Sequence, residues 1–207
     1  MQDSAHIIFS IAVLIMSVVV HETSHGHVAN VLGDPTARLA GRLSLNPIKH
    51  LDPIGSFLVP IVLAISGNPV FGWAKPVPFN PYNLRAGKWG PALVAAAGPL
   101  SNLLVAILFG VITRIAIGLD IASPTFTMLT NYIVGINILL AVVNLIPIPP
   151  IDGSKILFAL LPPRFSEIEE FFNRYGIFVV IGILFVGWRF IGPVVGSVTS
   201  AIYNIIL

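Results

Sequence analysis

The sequence predicts an all-α polytopic membrane protein, and three observations carry that expectation. Of the 207 residues, 56% are hydrophobic and 10% charged, against about 25% charged in an ordinary soluble domain. The mean hydropathy is +0.92. The apolar residues fall into about six segments, separated by connections rich in proline, glycine and charge. The length suits one domain with one core, read as a single unit over residues 1–207 with a three-helix core at about 5–31, 91–117 and 126–153. A formal charge of +2 is too small to suggest a nucleic-acid partner. The 11 Lys and Arg read instead as topology signals.

The elements follow in chain order. Met1 to His6 lack a basic n-region, so the first apolar run reads as a retained helix. It extends from about Ala5 to Val31 and is stopped by Gly33, Asp34 and Pro35. Residues 33–53 form a polar connection with Arg38, Arg42, Lys49 and His50. Ile54–Ile65 is apolar but short and contains Pro60. Basic residues flank it on both sides, so the positive-inside rule assigns both connections to the cytoplasm and favours a re-entrant element. Val70–Phe79 is rich in proline and β-formers and reads as extended chain lining the site.

The second helix spans about Pro91–Ile117 and opens with Ala95-Ala96-Ala97-Gly98, small residues that let membrane helices approach closely. Residues 118–124 carry Asp120 and no Lys or Arg, which suits the outer face. The third helix, about Phe126–Ile146, breaks at Pro147, Pro149 and Pro150. Residues 162–174 form a charged cytoplasmic connection with Arg164 and Arg174. Gly176–Ile191 is a further span and Val194–Leu207 a last, shorter one.

Chemistry concentrates in His21-Glu22-Thr23-Ser24-His25 at the end of the apolar stretch Ile7–Val20. That stretch covers about 21 Å of a hydrocarbon core about 30 Å thick, so His21 falls well below the far surface. His21 and His25 share one helix face and suit a single Zn2+ ion. Glu22, beside that face, suits a general base that takes a proton from the attacking water and passes it to a leaving amine. Ionisable residues at membrane depth are costly and usually functional; the plainer reading is a buried polar network between helices.

A hydrolytic zinc site usually needs a third protein ligand. There is no cysteine, so it must come from His or one of nine acidic residues. Asp152 stands out because it follows the mostly apolar stretch Leu139–Ile151, a proline break frees its direction, and Gly153 lets backbone approach closely. Its alternative is a helix N-cap near Ser154. Asn102 and Asn144 are amides on the second and third helices. They read either as hydrogen-bond donors to substrate or a developing oxyanion, or as interhelical ties. His27, His6 and His50 read as packing or interfacial residues. Thr23, Ser24 and Asn102 are candidates to line a water channel from the cytoplasmic face.

Three motifs occur in order: His21-Glu22-x-x-His25, Gly98-Pro99-x-x-Asn102, and Asn144-x-x-Pro147-x-x-Pro150-x-Asp152-Gly153. With Gly41–Pro47 and Gly72–Pro78, they make the chain resemble the site-2 protease family of intramembrane zinc metalloproteases, in its compact prokaryotic group without PDZ or CBS domains. Thr23 and Ser24 stand where small or apolar residues are common in that family. The resemblance implies one catalytic Zn2+ held by His21, His25 and Asp152, with Glu22 as base. It also implies a β-hairpin or edge at Trp73–Pro78, so the expected irregular element covers about residues 41–80. Phe71, Gly72, Trp73 and Val77 are then candidates to bind an unwound substrate strand by β-augmentation. The expected activity is hydrolysis of peptide bonds within or near transmembrane segments of membrane-tethered proteins, by a multi-pass cell-membrane enzyme. The alternative from another class is a metal-binding or metal-transport membrane protein without hydrolysis.

Overall fold

The computed structural model describes residues 2–58, 61–62, 65, 74–162, 165–182 and 188–207. Seven α-helices occur among them: α1 (Gln2–Val31), α2 (Thr36–Leu39), α3 (Gly90–Gly118), α4 (Pro124–Asn144), α5 (Asp152–Leu160), α6 (Ser166–Gly182) and α7 (Trp188–Ile206). Three are long and apolar enough to cross a membrane: Ala5–Val31, Gly87–Gly118 and Pro124–Asn144. The first two overlap the segments expected at about 5–31 and 91–117; the third stops at Asn144, short of the expected 153, and a separate helix begins at Asp152.

α3 lies at the centre, packed against α1, α4 and α5. Its sequence explains why. The residues it buries are Gly90, Ala92, Val94, Ala95, Ala97, Gly98, Pro99, Asn102, Ala106, Gly110, Thr113 and Ala116, nearly all small. Its large residues point outward: Leu93, Leu100, Leu104, Ile107, Leu108, Val111 and Ile115 are all exposed. α1 has the same polarity, with Ile7, Ile8, Ile11 and Leu14 exposed while Ser17, Val19, His21 and His25 are buried. In water this arrangement would be inside out. In a bilayer the tails solvate the large side chains, and close backbone approach is gained where side chains are small. Beyond the site, Ala106 of α3 meets Val134 and Ile138 of α4, and Ile202, Tyr203 and Ile206 of α7 pack on that cluster.

Helix ends follow local chemistry. Ser123 caps α4 by accepting the Phe126 N–H at 3.1 Å, with Pro124 at the first helical position. α1 ends at Gly33, whose φ of 108° favours glycine. Asp34 follows, fully buried, and gathers four hydrogen bonds. Its carboxylate accepts from Thr36 N at 3.2 Å, Thr36 Oγ1 at 2.6 Å, Asn83 Nδ2 at 2.9 Å and Asn80 N at 2.6 Å. One side chain thus ties the end of α1 to the 80–83 turn.

Among the described residues, the region expected to hold an irregular element contains turns and chain without regular structure. Pro47–His50 and Pro81–Asn83 are 3-10 turns, and Pro53–Leu58 is a short π-helical stretch whose first N–H groups at Ile54 and Gly55 are taken by Asp52. Residues 74–80 are extended but pair with no strand, and no β-strand occurs among the described residues. Phe71, Gly72 and Trp73 lie outside them. The chain after Pro162 also differs in boundary from the sequence reading. The charged residues read there as a connection are helical from Ser166, and α6 continues through Gly176 to Gly182. Charge marks where a helix leaves the apolar layer, not where it stops. Among the described residues neither α6 nor α7 is long and apolar enough to count as a span, the apolar part of α7, Gly192–Ile206, being shorter; the expected span Gly176–Ile191 lies partly outside those residues.

Burial alone would raise the Asp34 pKa, but the hydrogen bonds from Thr36, Asn83 and the Asn80 N–H outweigh it and hold the group below its ordinary value of 3.8. A lowered folded-state pKa stabilises above the ordinary value, and that stability is lost as pH falls through the folded one. Asp34→Ala leaves buried donors without an acceptor, at about 1–3 kcal/mol each. Thermal unfolding in detergent should therefore show a lower Tm for the variant at neutral pH, with the gap to wild type closing only below about pH 4.

Candidate metal centre

Three side chains from two distant parts of the chain converge. The Nε2 atoms of His21 and His25 each lie 3.1 Å from Oδ2 of Asp152. Their candidate ligand atoms all fall within 4.8 Å of one another. All three residues are at most 8% exposed. The imidazoles meet edge to face, with centroids 4.6 Å apart, as two residues one turn apart on α1 can. Asp152 arrives from the start of α5 after the turn at 145–151, which includes a cis Pro149–Pro150 bond.

Two glycines make this convergence possible. A Cβ on Gly98 of α3 would lie 2.5 Å from ring atoms of both His21 and His25. A Cβ on Gly153 would collide with the Leu145 and Ile146 carbonyls. The sequence singled out both glycines; the structure supplies the reason.

The outer hydrogen bonds fix the tautomers. His25 Nδ1 lies 2.6 Å from the Val94 carbonyl, which can only accept, so Nδ1 carries the proton. His21 Nδ1 lies 2.7 Å from Asn102 Oδ1. The Asn102 amide cannot be reversed, because its Nδ2 donates to the Ser17 carbonyl at 3.2 Å and to Asn137 Oδ1 at 2.8 Å. Asn137 Nδ2 in turn donates to Ser17 Oγ at 2.9 Å and the Ile133 carbonyl at 2.9 Å. Neutral rings with protonated Nδ1 present Nε2 lone pairs. Two lone pairs and a carboxylate oxygen then face one another without a donor between them. Such a set repels itself unless a cation sits in it, and two imidazoles with one carboxylate are a zinc ligand set. The residues present fit the ion.

A cavity of about 210 Å³ opens beside the three ligand atoms and includes Glu22, Pro76, Val77, Phe79, Asn144 and Lys155 in its walls. Glu22 is half-buried, and its Oε2 accepts the Val77 backbone N–H at 2.9 Å. The Val77 segment is itself held: Lys75 N donates to the His50 carbonyl at 2.9 Å, and buried Arg42 donates to the Lys75 carbonyl at 2.7 Å. Val77 therefore borders the cavity.

Other candidates are placed differently. Asn102 is fully buried with both ends of its amide engaged; it faces His21, not the cavity. Asn144 is at the cavity wall, and its Nδ2 donates to the Leu140 carbonyl of its own helix at 2.8 Å. Thr23 and Ser24 open on another face of α1, onto a larger, mostly apolar cavity of about 690 Å³ that does not include Asn102. His27 is exposed and donates to the Thr23 carbonyl, while His50 is buried and donates to the Ser44 carbonyl. Sequence reasoning missed Asn137, Arg42 and Lys155. The last carried a signal, since it lies one helical turn beyond Asp152.

A helical membrane protein with two histidines and a carboxylate converging beside a glutamate defines a class, the zinc metalloproteases. Comparison with known proteins agrees. The model of "Peptidase family M50" matches residues 109–186. "Putative zinc metalloprotease YwhC" of Bacillus subtilis is 37% identical over 183 residues, covering 86% of this chain and 80% of that protein. "Putative zinc metalloprotease Rip2" of Mycolicibacterium smegmatis is 29% identical over 178 residues, covering 86% of this chain and 66% of its own length. The Mycobacterium tuberculosis protein of the same name is 28% identical, and the match covers 58% of its length. No solved structure matches. The chain belongs to peptidase family M50, the site-2 protease family, and its cofactor is zinc.

Two substitutions test the centre. Gly98→Ala forces both rings aside, so the purified variant should lose zinc to a chelator at least about tenfold more readily than wild type. Asn102→Ala frees the His21 ring and leaves the Asn137 amide short of a partner; zinc affinity by chelator competition should fall about 10–100-fold.

Proposed function

We propose that this chain is an intramembrane zinc endopeptidase that hydrolyses peptide bonds within or near the transmembrane segments of membrane-tethered proteins. The observation that carries this reading is the convergence of Asp152 with His21 and His25, the two histidines lying on a helix apolar enough to span a membrane, beside a cavity that includes Glu22. Zinc, when bound, supplies a Lewis acid that acidifies water and polarises a scissile carbonyl. His21 and His25 would hold it through Nε2 and Asp152 through Oδ2. Glu22 is the catalytic residue. Its Oε1 has no hydrogen-bond partner among the described residues, so it can take the proton of the attacking water while Val77 N–H steadies Oε2. The same carboxyl then returns the proton to the leaving amine nitrogen. Asn102 positions His21. Asn144, at the cavity wall, is available to substrate or to the developing oxyanion through whatever hydrogen-bonding capacity Leu140 does not take.

The finer expectations belong to the same proposal. About six hydrophobic segments surround the site, the element near residues 41–80 is re-entrant or a hairpin, and the cavity opens toward the cytoplasm of a multi-pass cell-membrane protein. An unwound substrate strand lies along Val77, and Phe71, Gly72 and Trp73 remain candidates to bind it. A metal transporter would need a succession of ligand sets along its path. Among the described residues one group of three ligating side chains occurs, which favours hydrolysis.

The test pairs zinc content with cleavage of a model transmembrane substrate for wild type and Glu22→Gln. Both should carry about one zinc per chain, with cleavage by the variant reduced about 10²–10⁴-fold. Equal cleavage would remove Glu22 from the mechanism. Zinc in both without cleavage by either would favour a non-hydrolytic metal-binding protein.

A further inference from the structure

Asp152 divides its two oxygens. Oδ2 faces both imidazoles, at 3.1 Å from each Nε2. Oδ1 points away from them and lies 3.2 Å from Nζ of Lys155, one turn further along α5. The two ends of this contact differ in burial, with the Asp152 side chain 11% exposed and that of Lys155 39%. Lys155 also borders the cavity beside Glu22, and its ammonium sits 5.8 Å from the centre of the Phe79 ring.

We propose that Lys155 is a positioning residue that keeps Asp152 a one-oxygen ligand by withholding Oδ1 from the metal. The inference rests on the zinc-peptidase reading and adds to it the means by which a coordination position stays open. A carboxylate can offer a metal one oxygen or both. Two imidazoles and one carboxylate oxygen leave the fourth tetrahedral position for water. A second oxygen from Asp152 would compete for that position. A tilt of the carboxylate toward the metal separates the two arrangements, while the backbone beside it is packed closely, Gly153 lying against the Leu145 and Ile146 carbonyls. An ammonium on Oδ1 opposes that tilt. Exposed pairs at this spacing usually contribute little. Here the acceptor is buried and its other oxygen is committed, so the direction of the carboxylate is at stake more than the stability of the helix.

The arrangement fixes an unusual sign. A residue that merely supports a ligand weakens metal binding when removed. Loss of Lys155 removes a positive charge near a cation and frees a second ligand oxygen, so binding should hold or tighten while turnover falls. The experiment compares wild type, Lys155→Met and Lys155→Arg, each loaded with Co2+ in place of zinc. Three readouts are taken: the visible d–d bands, Co2+ affinity by chelator competition, and kcat and KM on a model transmembrane substrate. The expected result for Lys155→Met is changed band intensity and position, affinity equal to or above wild type, and kcat reduced about 10–100-fold at unchanged KM. Lys155→Arg should restore the bands and most of kcat.

Bands and kcat both as in wild type would reduce the contact to a surface ion pair and overturn the proposal. Wild-type bands with lowered kcat would mean that Lys155 acts on substrate, which also overturns it. Affinity lower by tenfold or more would make Lys155 a support for binding and overturn the one-oxygen role. If the wild type itself takes up no Co2+, the zinc-peptidase reading falls and this inference with it. If the wild type binds Co2+ and the variants match it, only the Lys155 role is lost.

Discussion

Three acceptor atoms, two imidazole Nε2 and one carboxylate oxygen, are held face to face in a buried place, and much of the molecule is arranged to keep them there. Left alone they would repel or take up protons. They are prevented from turning away by bonds on their far sides. His25 is tied to the Val94 carbonyl, and His21 to Asn102, which is tied to Ser17 and Asn137. These ties reach all three membrane-length helices. The centre and the helix packing are therefore one problem, because moving α1, α3 or α4 changes the direction of a ligand lone pair.

Small residues solve that problem. α3 buries alanine and glycine along almost its whole length, so its backbone lies close enough for the Val94 carbonyl to reach a histidine ring and for Gly98 to pass beneath two of them. A bilayer makes this affordable. Leucine and isoleucine facing lipid lose nothing that burial would have returned, whereas in water the same outward face would drive aggregation. The polar atoms inside are also densely paired. The Ser17–Asn102–Asn137 network uses each amide fully, as low-dielectric surroundings require.

The three long helices and the ligand set were legible in the sequence, for different reasons. The helices showed as uninterrupted apolar length. His21, Glu22 and His25 showed because their spacing sets a helix face, and Asp152 because a carboxylate after an apolar stretch and a proline break is costly without a partner. Asn102 was legible as important but not in its task, since sequence cannot say whether an amide faces a substrate or a neighbour's ring. Asn137 gave no motif, because a tie between helices depends on distances along separate segments; Arg42 stood in the Gly41–Pro47 segment, but its partner at Lys75 could not be read from it. The boundary near Ser166 was misjudged because charge was read as the end of a helix. Helix propensity is indifferent to where the water begins.

The hydrogen bond from Val77 N–H to Glu22 joins a reactive group to a length of backbone. The carboxylate is half-buried, and one of its two oxygens is solvated by the chain at residue 77 instead of by water. Any displacement of residues 75–79 takes the donor away from that oxygen, so the direction of the Glu22 side chain depends on the path of this segment. Arg42, gripping the Lys75 carbonyl from the other side, holds the same segment in place. The aim of a side chain beside the metal ligands is thus set partly by a loop far from it in sequence, and whatever moved that loop would turn the carboxylate with it.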